Sequence, residues 1–428
     1  MRAHSAAEAA LGASMAELVT KKGMLTGLAV CYGNARHCTG QSTGLAREVL
    51  WEGGGFREAP VAIDQHSLYD IASLTKLFTL VAALQLIQRG KMAFEDPLIS
   101  LDPRFKELGG CTLLELMSYE AVLKTPQRVD AQASVAAASR QVFLSYRART
   151  EGPRLYSDMN ALVLKYLVER VSGLPFHRYL VEHILGPLDM RETFAKVPSE
   201  HMGRLLDYNH EHRVIKGQYQ RLDHISPGLP HDPKARLLGE GGADLPGHAG
   251  LFSTAGDMCR FAMGLLSGAI LSRELLMQIG PNRTGRQGEG YYRQYMGLIC
   301  FSKSPVRRLS EVPPWMGERA FALSGYTGNH LAIDPELMAF DLFLGNRCHN
   351  RLSVVEPQEA ALGLGLSADG AGKVLWPDGR RVKSSFLYVH QKDALLHAPV
   401  YDCLKAAGLT GPGRIDDKGI DEQGHGPA

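Results

Sequence analysis

The stretch YDIASLTKLFTLVAALQLIQRG, residues 69–90, decides how this chain is read. From Thr75 onward Leu77, Leu80, Val81, Leu84 and Ile87 recur at three- and four-residue steps, the stripe of a helix that Gly90 ends. Ser67 to Ala72 reads as a short strand feeding that helix. Ser73 and Lys76 therefore sit at the helix start, three positions apart and on one face. Unpaired N–H groups at a helix N-terminus disfavour an ammonium, as does burial, so Lys76 can hold an amine beside the Ser73 hydroxyl and take its proton. The Ser73 N–H would face a carbonyl oxygen under attack. A bare serine-x-x-lysine pair arises by chance about once or twice in a chain of this size. On spacing alone the same residues also fit an ordinary helix start, with Ser73 as a cap and Lys76 in water.

Outward from this stretch, Ala6 to Lys21 carries Ala10, Leu11, Met15 and Leu18 at helical spacing, and Leu25 to Tyr32 is a short apolar strand. The Gly-rich segment up to Ser67 reads as loop. Helices are expected at Thr112 to Met117, Ala131 to Tyr146, Ser157 to Ser172, Phe176 to Leu185 and Thr254 to Ser267, the last opening on a Thr254-x-x-Asp257 cap. Residues 200 to 250 read as loop. Strands follow at Gly297 to Ser302, Thr327 to Ile333 and Met338 to Leu344, then a helix near Ala394 to Ala407 and a Gly-rich tail from Gly411 expected to be disordered. The pattern predicts one catalytic unit over residues 1–410. Its α/β part comes from about 1–75 and 285–410, its helical part from about 76–284, and a cleft lies at their junction.

The 428 residues are 45% hydrophobic and 21% charged, an ordinary globular composition with enough apolar residues for a large core. Lys and Arg number 47 against 45 Asp and Glu, with no block of like charge, which argues against a nucleic-acid partner. No run of apolar residues is long enough to span a membrane, and the first residues lack a signal-like apolar core, so a cytoplasmic protein is expected. The seven cysteines are scattered without a paired spacing and read as buried thiols in a reducing compartment, with no metal cage.

Five segments together resemble the serine β-lactamase and penicillin-binding-protein superfamily: residues 69–98, the Tyr156-Ser157-Asp158 element in LYSDMNALVLKYLVERVSGLPF, GPLDM at 186–190, GHAGLFSTAGDM at 247–258 and GYTGNHLAIDPEL at 325–337. Within it they are most similar to class C β-lactamase-like hydrolases and carboxylesterases. The resemblance implies an α+β fold, an antiparallel sheet with helices plus an inserted all-helical part, and an acyl-enzyme mechanism without a cofactor. Ser73 would be the nucleophile, Lys76 its proton acceptor and Tyr156 the shuttle. The backbone N–H groups of Ser73 and Tyr326 would form the oxyanion hole. Asp158 stands where the family often has Asn; it would orient Lys76 by hydrogen bonding, with an added charge that tends to keep the lysine protonated, and counts among the candidate substrate-binding residues. His248, in the family-like GHAG segment, is a candidate substrate contact.

The family's Lys-Thr-Gly or His-Thr-Gly is here Leu323-Ser324-Gly325, a candidate substrate-binding strand without its cation. A leucine cannot make a charge-assisted contact with a substrate carboxylate. Ser118-Tyr119-Glu120-Ala121 likewise departs from the usual His-Thr-Ser-Gly. The expected substrate is therefore a small neutral ester. Acyl transfer, D-amino-acid amide or peptide cleavage and weak β-lactamase action on the same serine are the alternatives, and a degenerate ligand-binding member is the alternative outside enzymes. Convergence of Ser73 Oγ, Lys76 Nζ and Tyr156 Oη separates the last from the rest.

Two further patterns are weaker. Gly40-Gln41-Ser42-Thr43-Gly44 matches the nucleophile elbow G-x-S-x-G but lacks a strand and helix in the right places. His210, His212, His224 and His231 with Asp232 lack metal-site spacing and read as exposed loop residues.

Overall fold

The computed structural model describes residues 2–148, 154–222, 225–240, 244–288, 292–306, 310–357 and 383–410. The expected tail from Gly411 lies outside them. Helix α1 (Arg2–Ala16) leads into strands β1 (Gly27–Asn34), β2 (Cys38–Glu52) and β3 (Gly55–Ala62). Helices α2 (Thr75–Gln88), α3 (Asp158–Ser172), α4 (Pro233–Leu238) and α5 (Ala255–Leu266) follow, then β4 (Phe301–Ser302), β5 (Phe321–Gly325), β6 (Asn329–Asp334), β7 (Ala339–Gly345) and helix α6 (Ala398–Ala406).

One seven-stranded sheet in the order β4-β5-β6-β7-β1-β2-β3 joins the two ends of the chain. The seam is the antiparallel pairing of β1 with β7, from Leu28 opposite Gly345 to Asn34 opposite Ala339. β1 and β7 are buried along almost their whole length. Such strands, covered on both faces, read as continuous apolar runs. α1 and α6 cover one face through Leu11, Met15, Leu18, Phe343, Val400 and Leu404. The larger core, on the other face, holds α2, α3 and α5 with Leu77, Leu80, Leu84, Leu162, Leu167 and Phe261.

α2 is buried from Thr75 to Leu86. A helix apolar on all sides belongs inside a core, and its polar residues find fixed partners there. Thr79 donates to the Gly247 carbonyl at 2.5 Å, and Gln85 donates to the carbonyls of His183 and Ile270 at 3.0 and 2.8 Å.

The segment expected to loop between β1 and Ser67 is instead the long hairpin of β2 and β3. Most of its residues are half-exposed or exposed, so polar residues and glycines interrupt any apolar alternation. Gly53 and Gly54, at φ 60° and 82°, make the turn that a two-residue hairpin needs. Gly40 to Gly44 lie within β2, which rules out a nucleophile elbow around Ser42. Residues 200–250 also hold a hairpin, Glu211–Ile215 with Gln218–Leu222, and the helix α4. The expected helix Ala131 to Tyr146 shortens to Val135–Phe143, and the strand expected from Gly297 shortens to β4.

Candidate active site

Tyr69 and Asp70 pair with Ser253 and Phe252, which brings the 247–254 segment against the start of α2. Asp70 is buried and every oxygen is used. Its carbonyl accepts from Thr327 Oγ1 at 2.9 Å and Asn329 Nδ2 at 2.8 Å, while its carboxylate accepts from the N–H groups of Ala72 at 2.9 Å and His231 at 2.6 Å. These bonds hold Ala72 at φ 46°, a strained conformation that persists only where the surroundings enforce it. The tight turn Ala72–Leu74 then presents Ser73, partly exposed, between two buried neighbours.

Lys76 is fully buried, and its three N–H donors meet three acceptors: Ser73 Oγ at 2.7 Å, the His248 carbonyl at 3.0 Å and Asp158 Oδ1 at 2.9 Å. Burial disfavours the ammonium, but the charge of Asp158 outweighs it and holds the Lys76 pKa above the ordinary lysine range. Asp158 is pulled the other way: burial would raise it, and Lys76, His248 and Lys234 together hold it well below the carboxylate range. The neutral amine expected for Lys76 at a helix start is therefore not favoured: Asp158 lies where its charge supports the ammonium.

Asp158 opens α3. Ser157 caps the helix by accepting from Met159 N at 3.2 Å, and an acid in the first turn suits the helix dipole. Asn160, one turn in, docks α3 by donating to the Leu116 and Ala121 carbonyls, both at 2.8 Å. Tyr156 precedes the cap, its N–H bound to Gln294 Oε1 at 3.0 Å. Its ring stacks on Phe301 at 5.5 Å and lies with its centroid 5.0 Å from Lys76 Nζ. The hydroxyl is buried and makes no well-aligned hydrogen bond; burial pushes its pKa above the ordinary tyrosine value, and the pull of the nearby Lys76 and Ser73 offsets that only in part. Ser73 and Lys76 are thus in direct contact, and Tyr156 stands beside them one hydrogen bond short of a closed triad. In a site without substrate such bonds are often long and tighten on binding.

The opposite wall is β5. A Cβ on Gly325 would lie 2.9 Å from the Ile71 carbonyl, so only glycine lets this strand run against the turn that carries Ser73. Tyr326 follows. Neither its N–H nor that of Ser73 donates to a group outside its own turn among the described residues. The Tyr326 side chain is anchored: its hydroxyl donates to Glu211 at 2.6 Å, and its ring stacks on His231 at 5.3 Å.

Three expected substrate contacts are elsewhere. Leu323 is 0% exposed and belongs to the main core, so it meets no substrate. Ser324, next along an alternating strand, points away into a buried network, donating to Glu311 at 2.7 Å with His330 and Lys392 beside it. His248 is also 0% exposed; its carbonyl holds Lys76 while its ring pairs with Asp232 at 2.8 Å. His210, His212 and His231 are buried rather than loop-exposed, while His224 is outside the described residues.

Lys234, on α4, is the residue the sequence reading missed. It lies 2.9 Å from Asp158 Oδ2 and 3.6 Å from Asp232 Oδ2, extending the line Ser73, Lys76, Asp158, Lys234, Asp232, His248. The available signal was Asp232-Pro233, a helix cap with proline in the first turn, weighed only as part of a metal site. Asp158, Asp232 and His248 cluster closely enough to hold an ion, but the Lys234 ammonium already supplies the cation there. A groove of about 1480 Å³ opens alongside, lined by Leu185, Phe194, Leu229, Pro230 and Arg236 and not by Ser73 itself.

The sheet flanked by helices, with a serine-lysine pair at the start of the buried helix, is the arrangement of a β-lactamase-like serine hydrolase. A family model described as Beta-lactamase matches residues 8–361, and the chain belongs to that family. It is 24% identical over 331 residues to a Salmonella gallinarum protein named "Putative D-alanyl-D-alanine carboxypeptidase", covering 70% of this chain and 74% of that one. It is 23% identical over 354 residues to the N-acetylmuramyl-L-alanine amidase of Bacillus subtilis, covering 72% and 74%. Among solved structures it is similar in fold to a class C β-lactamase from Rhodobacter sphaeroides, with TM-score 0.57, 20% identity and 82% and 96% of the two chains covered. It is also similar to the octameric penicillin-binding protein homologue from Pyrococcus abyssi, with TM-score 0.57, 16% identity and 78% and 72% covered.

Proposed function

We propose that this protein is a carboxylesterase-like serine hydrolase acting on neutral esters through an acyl-enzyme on Ser73. The observation that carries the reading is the contact of Lys76 Nζ with Ser73 Oγ at 2.7 Å inside a buried charge network. Lys76 and Tyr156 work as one acid–base unit. Once the Lys76–Tyr156 pair has given up one proton to solvent, the Ser73 proton passes to it, with Tyr156 as the shuttle, as the serine oxygen attacks the ester carbonyl. The developing oxyanion lies between the N–H groups of Ser73 and Tyr326, and the leaving alkoxide takes the proton back. Water then repeats the steps on the acyl-enzyme. The preference for a neutral substrate rests on Lys76 and Lys234 already being paired with carboxylates. The free thiols suit a cytoplasmic setting, and no described helix is long and apolar enough to cross a membrane.

A second reading, peptidase or amidase action on D-amino-acid substrates, is favoured by one observation. The Lys234 side chain is 22% exposed beside the serine site, a cation within reach of a substrate carboxylate. The names of the carboxypeptidase and amidase relatives agree with it. The test is fluorophosphonate labelling followed by peptide mass spectrometry, with turnover of a p-nitrophenyl ester series and of D-alanyl-D-alanine peptides. Label on Ser73 and ester turnover lost in Ser73→Ala are expected. Unchanged turnover in Ser73→Ala removes the serine mechanism; peptide turnover exceeding ester turnover selects the second reading.

A further inference from the structure

Away from the serine, Cys31 on β1, Cys38 on β2 and Cys259 on α5 bring their sulfur atoms within 4.8 Å of one another. The sheet register explains two of them. Cys31 lies opposite Gly40 and Cys38 opposite Gly33, so the cysteines hold one diagonal of a four-residue patch and glycines the other, all on one face. A Cβ on Gly40 would come within 2.5 Å of Cys31 Sγ, so the glycine reserves the space that the sulfur fills. α5 packs across this face and adds the third sulfur. All three are free thiols; Cys31 and Cys259 are buried, whereas Cys38 is partly exposed and opens the cluster to solvent.

We propose that Cys31, Cys38 and Cys259 form a three-thiolate site for one soft cation, Zn(II) or Cu(I). A set of sulfur donors alone selects soft metals over Mg(II) or Ca(II). A zinc–sulfur bond of about 2.3 Å sets ligand sulfurs about 4 Å apart in a tetrahedron, inside the spacing already present. Zn(II) would take a water as its fourth ligand on the Cys38 side; Cu(I) would be complete with three sulfurs. Binding forms three metal–sulfur bonds and releases three thiol protons to solvent. The ion would clip α5 to the β1–β2 hairpin, a cross-link that the scattered positions of these cysteines conceal in the sequence.

The experiment titrates the full chain, reduced and stripped of metal by a chelator, with Zn(II) and separately with Cu(I) under anaerobic conditions. Native mass spectrometry counts the bound ions, and Cd(II) reports thiolate ligation through its sulfur-to-metal charge-transfer band. One equivalent is expected, with a raised melting temperature, at least tenfold weaker binding in Cys38→Ser and unaltered binding in Cys111→Ser. Cys38 is the least buried of the three, so its serine variant keeps the fold; retained labelling of Ser73 checks this. The relative affinities of the two titrations choose the metal. No uptake by the wild type, or uptake that survives Cys38→Ser, overturns the proposal. So does a disulfide among the three in air with no metal bound after reduction.

Discussion

The Lys234 ammonium stands 2.9 Å from one oxygen of Asp158 while Lys76 stands 2.9 Å from the other. The carboxylate is shared, so each lysine sets how strongly Asp158 holds its neighbour's proton. The groups facing Lys76 are Asp158, Tyr156, Ser73 and the His248 carbonyl, with Lys234 and Asp232 behind. Asp158 raises the pKa values of both Lys76 and Tyr156. Asp158→Asn should therefore move the acid limb of kcat/KM to lower pH by roughly one unit or more. Lys234→Met, which leaves Asp158 to Lys76 alone, should move it to higher pH. A pH–rate profile of both variants checks the pair of opposite signs, which mere loss of structure would not produce.

Gly325→Ala places a methyl group 2.9 Å from the Ile71 carbonyl, closer than real contacts allow. The strand must retreat from the Ser73 turn and carry the Tyr326 N–H with it. A misplaced oxyanion donor costs about 10²- to 10³-fold in kcat. The expected result is that loss with KM little changed, measured on a variant whose circular dichroism matches the wild type.

Leu323→Lys or Leu323→His restores the family residue in name only. At 0% exposure the side chain ends in the core, on an apolar face beside Leu331 and Leu342. The charge enters an apolar environment without a partner, so the variants should lose about 3 kcal/mol or more of stability. Denaturant melts measure this. A gain in nitrocefin hydrolysis with unaltered stability would mean that position 323 faces the cleft after all.

Arg351, fully buried, forks onto Glu48 at 2.7 and 2.9 Å, with Lys383 at 3.0 Å from the same carboxylate. Burial pushes the Glu48 carboxyl up, but these cations outweigh it and bring its pKa from 4.5 to about 2. A depressed folded-state value stabilises the protein above the unfolded pKa and is lost as pH falls through the folded one. Glu48→Gln should cost about 3–5 kcal/mol at neutral pH, because it leaves Arg351 buried without its anion. The gap between variant and wild type in urea melts should narrow between pH 4.5 and pH 2.

The parts legible in the sequence were those specified locally. Ser73 and Lys76 share a helix start, Ser157 caps the helix that Asp158 opens, and β1 and β7 are apolar runs bounded by turns. The parts that were not legible depend on elements far apart in the chain. Lys234 gains its role only because α4 lies against α3, and His231 reads as a loop residue until its N–H meets Asp70. The β2–β3 hairpin escaped notice because its half-solvated faces accept polar residues and glycines, erasing the alternation that marks a strand. Leu323 was placed by family position, and the alternation of β5 set its side chain and that of Ser324 on opposite faces, neither offered to a substrate.

The seam between β1 and β7 also has a consequence in time. During synthesis the Ser73 turn leaves the ribosome long before Thr327 and Asn329, the residues that brace Asp70 beneath it, and before Tyr326. Until then the left-handed Ala72 lacks two of the four bonds that brace it through Asp70, and β1 has no β7 to pair with. Non-local pairing of this kind forms late. On the proposed acyl-enzyme mechanism, a half-made chain should accordingly be inert toward acyl donors until the strands that complete the sheet are made.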